Sequence, residues 1–356
     1  VRERIERLLA RLEEEKLDAF LVAQPENRYY LSGFTGSAGA LVVGKCGLYF
    51  LADFRYADQA ASQCPGFTVV RYKDSLAGTL AENLPSWGVS RLGCEGDYLS
   101  YRQVKLLEEK LEGVELVPLS GVVEELRQVK DGEELEAISQ AAALAERAFW
   151  HVLGILRPGV TEWEVAVELE AFLRRHGAEK IGFDTIVASG PRGALPHGAA
   201  THRVICRGEM VTMDFGCRYR GYHCDLTRTV AVGPPDPRQE EIYRLVLEAQ
   251  RAAIAAVRAG VKACEVDRAA REVIEAAGYG ENFGHSTGHG VGLAVHEEPS
   301  VSAKNEKPLL PGMVITVEPG VYLPGWGGVR IEDMVLVEEG GCRLLTGIPK
   351  DPMIIV

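Results

Sequence analysis

The chain has 356 residues, room for two domains at about 100–200 residues each. Its apolar content of 46% and charged content of 25% are those of an ordinary globular protein with ample material for a core. The net charge of −12, from 51 acids against 39 bases with no basic run of five, argues against a nucleic-acid partner, and no apolar stretch approaches the roughly 18 residues that would suggest a membrane span.

Ile5, Leu8, Leu9, Leu12 and Leu17 recur at helical spacing over residues 1–17. A buried strand is expected at 19–23. Tyr29-Tyr30-Leu31 leads into a Gly/Ser-rich turn from Gly33 to Gly39, and strands near 40–43 and 47–52 form a hairpin. Helix 54–63, strand 67–71, helix 75–84, strand 90–95, helix 100–111 and strand 114–117 follow. This alternation predicts an α/β layer structure. The eight cysteines, at 46, 64, 94, 206, 217, 224, 264 and 342, form no CxxC pair, and the charged start Val1-Arg2-Glu3-Arg4-Ile5 has no apolar signal core. A soluble, cytoplasmic protein with reduced thiols is expected.

The character changes near residue 120, and the domain boundary is placed at 124, giving domains 1–123 and 124–356. Asp131 followed by Glu134 reads as a capping box ahead of a long Ala/Glu/Leu helix. Arg157-Pro158-Gly159-Val160 then matches Arg258-Ala259-Gly260-Val261 at an offset of 101 residues. Glu164-Val165 against Glu265-Val266 and Gly177 against Gly278 keep the same offset. Two similar halves about a pseudo-twofold axis are predicted, with any site on the axis taking ligands from each.

Each half carries two acids in strand-like surroundings: Asp214 within Val211–Gly216 and Asp225 within Cys224–Thr229, then Glu318 after Ile315-Thr316-Val317 and Glu332 within a strand at Val329–Val335. Aspartate is disfavoured in strands, and an unpaired buried carboxylate is expensive, so such acids usually meet a cation. Four carboxylates form an oxygen-rich cage suited to paired divalent ions. Four of the eight histidines lie in or beside Leu195-Pro196-His197-Gly198 and the glycine-rich segment containing His285, His289 and His296. One imidazole added to the acids makes a dinuclear site, in which metals about 3.5 Å apart activate water for amide hydrolysis. No GxSxG elbow or obvious Cys–His pairing offers a protein nucleophile.

The ordered set Asp214, Asp225, His289, Glu318 and Glu332 resembles the ligand set of the pita-bread metallopeptidases. His285–Glu297, Pro196-His197-Gly198 and Val329–Asp333 resemble their proline-specific members, the Xaa-Pro aminopeptidases and dipeptidases, and Tyr29–Ser37 with Ala52–Tyr56 resembles those proteins' N-terminal domain. The resemblance spans nearly the whole chain. It implies an α/β N-terminal domain with a mixed sheet and helices, followed by an α+β pita-bread catalytic domain. It implies hydrolysis of the bond before a proline in second position, in dipeptides or at the start of longer peptides, by a hydroxide bridging two divalent ions. Manganese or cobalt is the expected metal, with zinc accepted by some relatives, and the expected assembly is a homodimer.

The same resemblance assigns roles. Asp214 chelates one ion, Asp225 and Glu332 bridge both, and His289 and Glu318 complete the other shell. Glu318 is also the general base. His197 and His296 bind substrate and stabilise the oxyanion or shuttle protons. His285 and Arg330 position substrate or ligands, and Phe183 lines a pocket for the proline ring. Methionine aminopeptidases share the site but usually lack a domain like 1–123. Creatinase-like enzymes share the two-domain plan but not the metals, and catalytically inactive relatives typically lose ligands. A strict dipeptidase should grip the substrate's carboxylate, and Ser300 stands where some prolidases have Arg; Arg192 or Arg330 offers the same chemistry.

Overall fold

Ile5, Leu8 and Leu12, spaced three and four residues apart, form the single buried stripe of helix α1 (Arg2–Glu14). The computed structural model describes all 356 residues, in two units, 1–127 and 128–356. The first unit is built on strands β1 (Ala19–Val22), β2 (Ala40–Gly44), β3 (Gly47–Ala52), β4 (Thr68–Arg71), β5 (Arg91–Glu95) and β6 (Glu115–Leu119). They form one sheet in the order β4-β3-β2-β1-β5-β6. The hairpin β2–β3 and the pair β1–β2 are antiparallel and the remaining neighbours parallel, so the sheet is mixed. Helices α2 (Pro25–Ser32), α3 (Ala57–Gln63), α4 (Leu76–Asn83), α5 (Tyr101–Lys110) and α6 (Val122–Arg127) complete the unit. Leu21, Val42, Leu51, Leu80 and Leu92 share its core.

Two local expectations are corrected here. The helix expected from 54 begins at Ala57, because the Asp53 carboxylate accepts from the Arg55 backbone and pairs with its guanidinium, holding 53–56 as a turn. Tyr29-Tyr30-Leu31, read as leading into a turn, lie in helix α2, which has Pro25 at its first turn and is closed by Gly33 at φ 74°.

In the second unit Asp131 and Glu134 exchange side-chain and backbone bonds at 3.0 and 2.9 Å, starting helix α7 (Gly132–Leu153). Helix α8 (Glu162–Arg175) follows. Strands β7 (Lys180–Ile181), β8 (Ile186–Ser189), β9 (Met210–Phe215), β10 (Cys217–Tyr219), β11 (Tyr222–His223) and β12 (Leu226–Ala231) complete the first half. Helices α9 (Pro237–Ala256) and α10 (Ala263–Ala276) open the second half, and α10 repeats α8 end for end at the offset of 101 residues. Strands β13 (Gly288–Gly290), β14 (Glu297–Val301), β15 (Val314–Val317), β16 (Gly320–Leu323), β17 (Gly327–Arg330), β18 (Asp333–Glu338) and β19 (Gly341–Leu344) follow.

The half-sheets run β8-β9-β12 and β14-β13-β15-β18-β19, all antiparallel. Apolar faces of α9 and α10 cover the second through Ile242, Val246, Val266 and Ile274 against Ile315, Val317 and Val335. The strand expected through 329–335 is broken at Ile331 and Glu332, because β17 pairs with β16 whereas β18 pairs with β15. Glu332 sits where the chain changes partner. No helix is long and apolar enough to cross a membrane.

Candidate metal centre

Register brings the four acids together. Asp214, on β9, lies opposite Thr227 of β12, and Asp225 immediately precedes β12. Val317, at the end of β15, lies opposite Asp333, so Glu318 and Glu332 emerge side by side from the other half. His289 is the middle residue of β13. Asp214, Asp225 and Glu332 offer ligand atoms within 4.8 Å of one another, as do His289, Glu318 and Glu332, and Asp225 with His289 and His296.

Backbone packing around His289 is tight enough to require its two flanking glycines. A Cβ on Gly288 would stand 2.0 Å from the Thr316 carbonyl oxygen, and one on Gly290 2.3 Å from that of Glu298. We expect Gly288→Ala to cost about 1–3 kcal/mol of stability through overpacking and to weaken divalent-metal binding by displacing His289. Thermal unfolding and Mn2+ titration of the variant check both; wild-type values in each would show that the strand yields.

Hydrogen bonds orient four of these five side chains. The His289 backbone N–H donates to Thr316 Oγ1 at 3.0 Å, and its Nδ1 to the Gly290 carbonyl at 3.0 Å. That leaves Nε2 facing Glu318 Oε1 at 3.3 Å and Asp225 Oδ2 at 3.6 Å, the tautomer a metal ligand needs. Thr316 Oγ1 donates to Glu318 Oε1 at 3.0 Å, and Thr227 Oγ1 to Glu332 Oε2 at 2.7 Å. Arg330, 3% exposed, donates to Asp214 Oδ2 at 2.6 Å, to the Tyr322 hydroxyl at 2.9 Å, and to Thr227 Oγ1 and the Pro196 carbonyl at 3.2 Å each. His285 Nε2 meets the same Tyr322 hydroxyl at 2.8 Å.

Electrostatics show what the cluster lacks. Burial, then repulsion from Asp214 and Glu318, holds the Asp225 carboxyl well above the ordinary carboxylate range. Burial, then Asp225 and Glu318, does the same to Glu332. Asp214 is raised by burial even beside Arg330. Burial also pushes Glu318 up, but its hydrogen bond and attraction to His289 outweigh this and lower it. His289 rises to about 9: burial opposes its charge, but Glu318 more than compensates. One oxygen each of Asp214, Asp225 and Glu332 is buried with no hydrogen-bond partner. Clustered carboxylates with three orphaned oxygens, and an imidazole among their neighbours, fit divalent cations, the groups that relieve such crowding.

The centre opens into a cavity of about 560 Å³, lined by Phe183, Ile186, Pro196, His197, His285, His296 and Ser300 as well as Asp214, Asp225, His289 and Glu318. His197 and His296 are exposed at this cavity, and burial, then the His289 charge, lowers the His296 pKa. Arg192 pairs with buried Glu162 and donates to the Ala199 carbonyl at 2.7 Å. His223, which stands near Asp225 in sequence, approaches the Gly292 carbonyl at 3.3 Å and lies outside the cavity lining. Sequence reasoning missed Thr227, Thr316 and Tyr322. Thr227 was within reach, because alternation along β12 puts it on the face of Asp225. Tyr322 lies in an apolar run that carries no such signal.

A pseudo-symmetric acid cage with one histidine, opening on a peptide-sized cavity, defines a metal-dependent hydrolase. Residues 136–339 match metallopeptidase family M24, and residues 4–129 match the creatinase/prolidase N-terminal domain; the chain belongs to the M24 metallopeptidases with that N-terminal domain. It is 41% identical to the Xaa-Pro dipeptidase of Pyrococcus furiosus, over 97% of this chain and 98% of that protein. Among solved structures it is similar to an Xaa-Pro dipeptidase from Bacillus anthracis, with TM-score 0.97, 44% identity and 99% of both chains covered. It is also similar to an X-Pro aminopeptidase from Thermotoga maritima, with TM-score 0.91, 39% identity, and 99% of this chain and 100% of that one covered.

Proposed function

We propose that the chain is an exopeptidase cleaving the bond between an N-terminal residue and a following proline, in Xaa-Pro dipeptides or at the start of longer peptides. The observation that carries this is the clustering of Asp214, Asp225 and Glu332, each with a partnerless buried oxygen, next to His289 and Glu318 beside the cavity. Asp214, Asp225 and Glu332 would hold one ion, and Asp225, Glu332, His289 and Glu318 the other. When bound, the two ions lower the pKa of a shared water and polarise the scissile carbonyl. Four oxygen-bearing residues and one nitrogen suit manganese or cobalt, although the general affinity order favours zinc or copper.

Glu318 is the general base, a carboxylate kept ionised beside His289 and placed to take the attacking water's proton. His296 is neutral near pH 7, so its ring N–H donates to the developing oxyanion without a resident charge. His197 faces the same cavity and supplies a second donor. Phe183, Ile186 and Ala199 form an apolar wall for the proline ring. Arg330 and His285 act through Asp214 and Tyr322, since their nitrogens are engaged there. All eight cysteines are free thiols, which fits a reducing cytoplasm.

The relatives include both dipeptidases and an aminopeptidase by name. The test is hydrolysis of matched Ala-Pro, Ala-Pro-Ala and Ala-Ala substrates by Mn2+-loaded protein. Cleavage before proline in either of the first two, with Ala-Ala spared, is expected. Failure on both proline substrates would sink the proline reading, and the ratio of the two assigns substrate length.

A further inference from the structure

Glu332 is 1% exposed and lies in the break between β17 and β18, outside both strands. Its backbone is therefore held by other means. Its N–H donates to the Thr227 carbonyl at 3.2 Å, and its carbonyl accepts from Arg228 Nη1. The next residue, Asp333, points away from the cavity and is 1% exposed. Its Oδ1 accepts from Arg228 Nη2 and Thr346 Oγ1, both at 2.7 Å, and its Oδ2 from Gln250 Nε2 at 2.7 Å and from Lys350 Nζ.

Two of those four donors come from beyond the last strand. Arg228 also donates to the Ile348 carbonyl at 2.8 Å, the Leu345 N–H donates to Met334 at 2.9 Å, and the Lys350 carbonyl accepts from the Tyr243 hydroxyl at 2.8 Å. The segment is then secured along β12, where Ala231 and Ile354 bond at 3.0 Å. Burying Arg228, Lys350 and Asp333 together is costly, and an apolar cluster of the same volume would stabilise the fold as well. What the ionic cage adds is direction: a carboxylate with four fixed donors leaves its backbone one position, and that backbone carries Glu332.

We propose that the segment Thr346–Lys350 is a positioning element of the metal centre, Lys350 and Thr346 acting through Asp333 to hold the Glu332 carboxylate in the place from which it would bind metal. Neither residue touches the cavity. The inference rests on the two-ion reading above. It is tested by Mn2+ titration calorimetry of the metal-stripped protein as wild type, Lys350→Met, Lys350→Arg and Thr346→Val, together with kcat and KM at fixed Mn2+.

Lys350→Met retains the stem and removes the charge. We expect one Mn2+ to bind about 10–100-fold more weakly, the range for loss of a supporting partner. We expect kcat to fall with KM unchanged, and Lys350→Arg to recover most of both. If Lys350→Met does not fold, Thr346→Val carries the same expectation by removing one donor from Oδ1. Two Mn2+ bound with wild-type affinities by the folded variant would overturn the proposal and leave the segment as packing. Fewer than two Mn2+ bound by the wild type would overturn the two-ion reading itself, a result separate from any variant's behaviour.

Discussion

Glu318→Gln is expected to lower kcat by about 10²–10⁴-fold, the contribution of a positioned general base, and to weaken one of two Mn2+ ions. Both losses follow from one carboxylate with two tasks. Its Oε1 is held by Thr316 Oγ1 at 3.0 Å and faces His289 Nε2 at 3.3 Å, so an amide keeps the shape but cannot accept a proton or supply charge. His296→Ala is the informative contrast. His296 lies at the cavity surface, and five other residues supply the proposed ligands, so its loss should reduce turnover while both ions remain bound. Steady-state kinetics with metal content measured on the same preparations separates the two. Near-normal turnover in Glu318→Gln would refute its assignment as base.

The acids of this centre were legible because each breaks a local rule. An aspartate between Met213 and Phe215, or a glutamate after Ile315-Thr316-Val317, has no local reason to be there. The repeat was legible because α8 and α10 each follow a Gly-Val turn with equal spacing. What sequence could not supply was pairing at long range. Whether Arg330 meets a ligand or a substrate depends on β9 and β17 lying together, which places its guanidinium 2.6 Å from Asp214. Glu332 was read as a strand residue because Val329–Val335 alternates like one; only the exchange of partners between β16 and β15 shows that it occupies a break. The role of Asp333 was hidden for the same reason, as its donors are 13 to 105 residues away.

Asp225→Asn should abolish activity and yet make the metal-free protein more stable. Asp225 is 5% exposed, its Oδ1 has no hydrogen-bond partner, and three further carboxylates surround it. Without cations this arrangement opposes folding, and an isosteric amide removes the charge. Relief on the order of 1–3 kcal/mol is expected, since each unit by which burial and like charges raise the folded pKa of Asp225 corresponds to about 1.4 kcal/mol. For a catalytic unit of this size each kcal/mol shifts Tm by about 2–4 °C.

The pH dependence has a definite sign. The folded pKa of Asp225 lies well above its ordinary 3.8, so the wild-type group's favourable contribution is complete below that ordinary value and is lost as pH rises through the folded one. The variant's advantage over metal-free wild type should therefore grow from acid toward neutral pH. Adding Mn2+ should reverse the order. Wild type gains about 2.7 kcal/mol at one hundred times Kd, releasing the proton that His289, with a pKa of about 9, holds without metal, whereas Asp225→Asn gains little. Paired thermal melts at pH 5 and pH 8, with chelator and with Mn2+, check all four states. A metal-free variant less stable than wild type at pH 8 would mean that the acid cluster is not strained, and that its carboxylates are held by the protein rather than poised for cations.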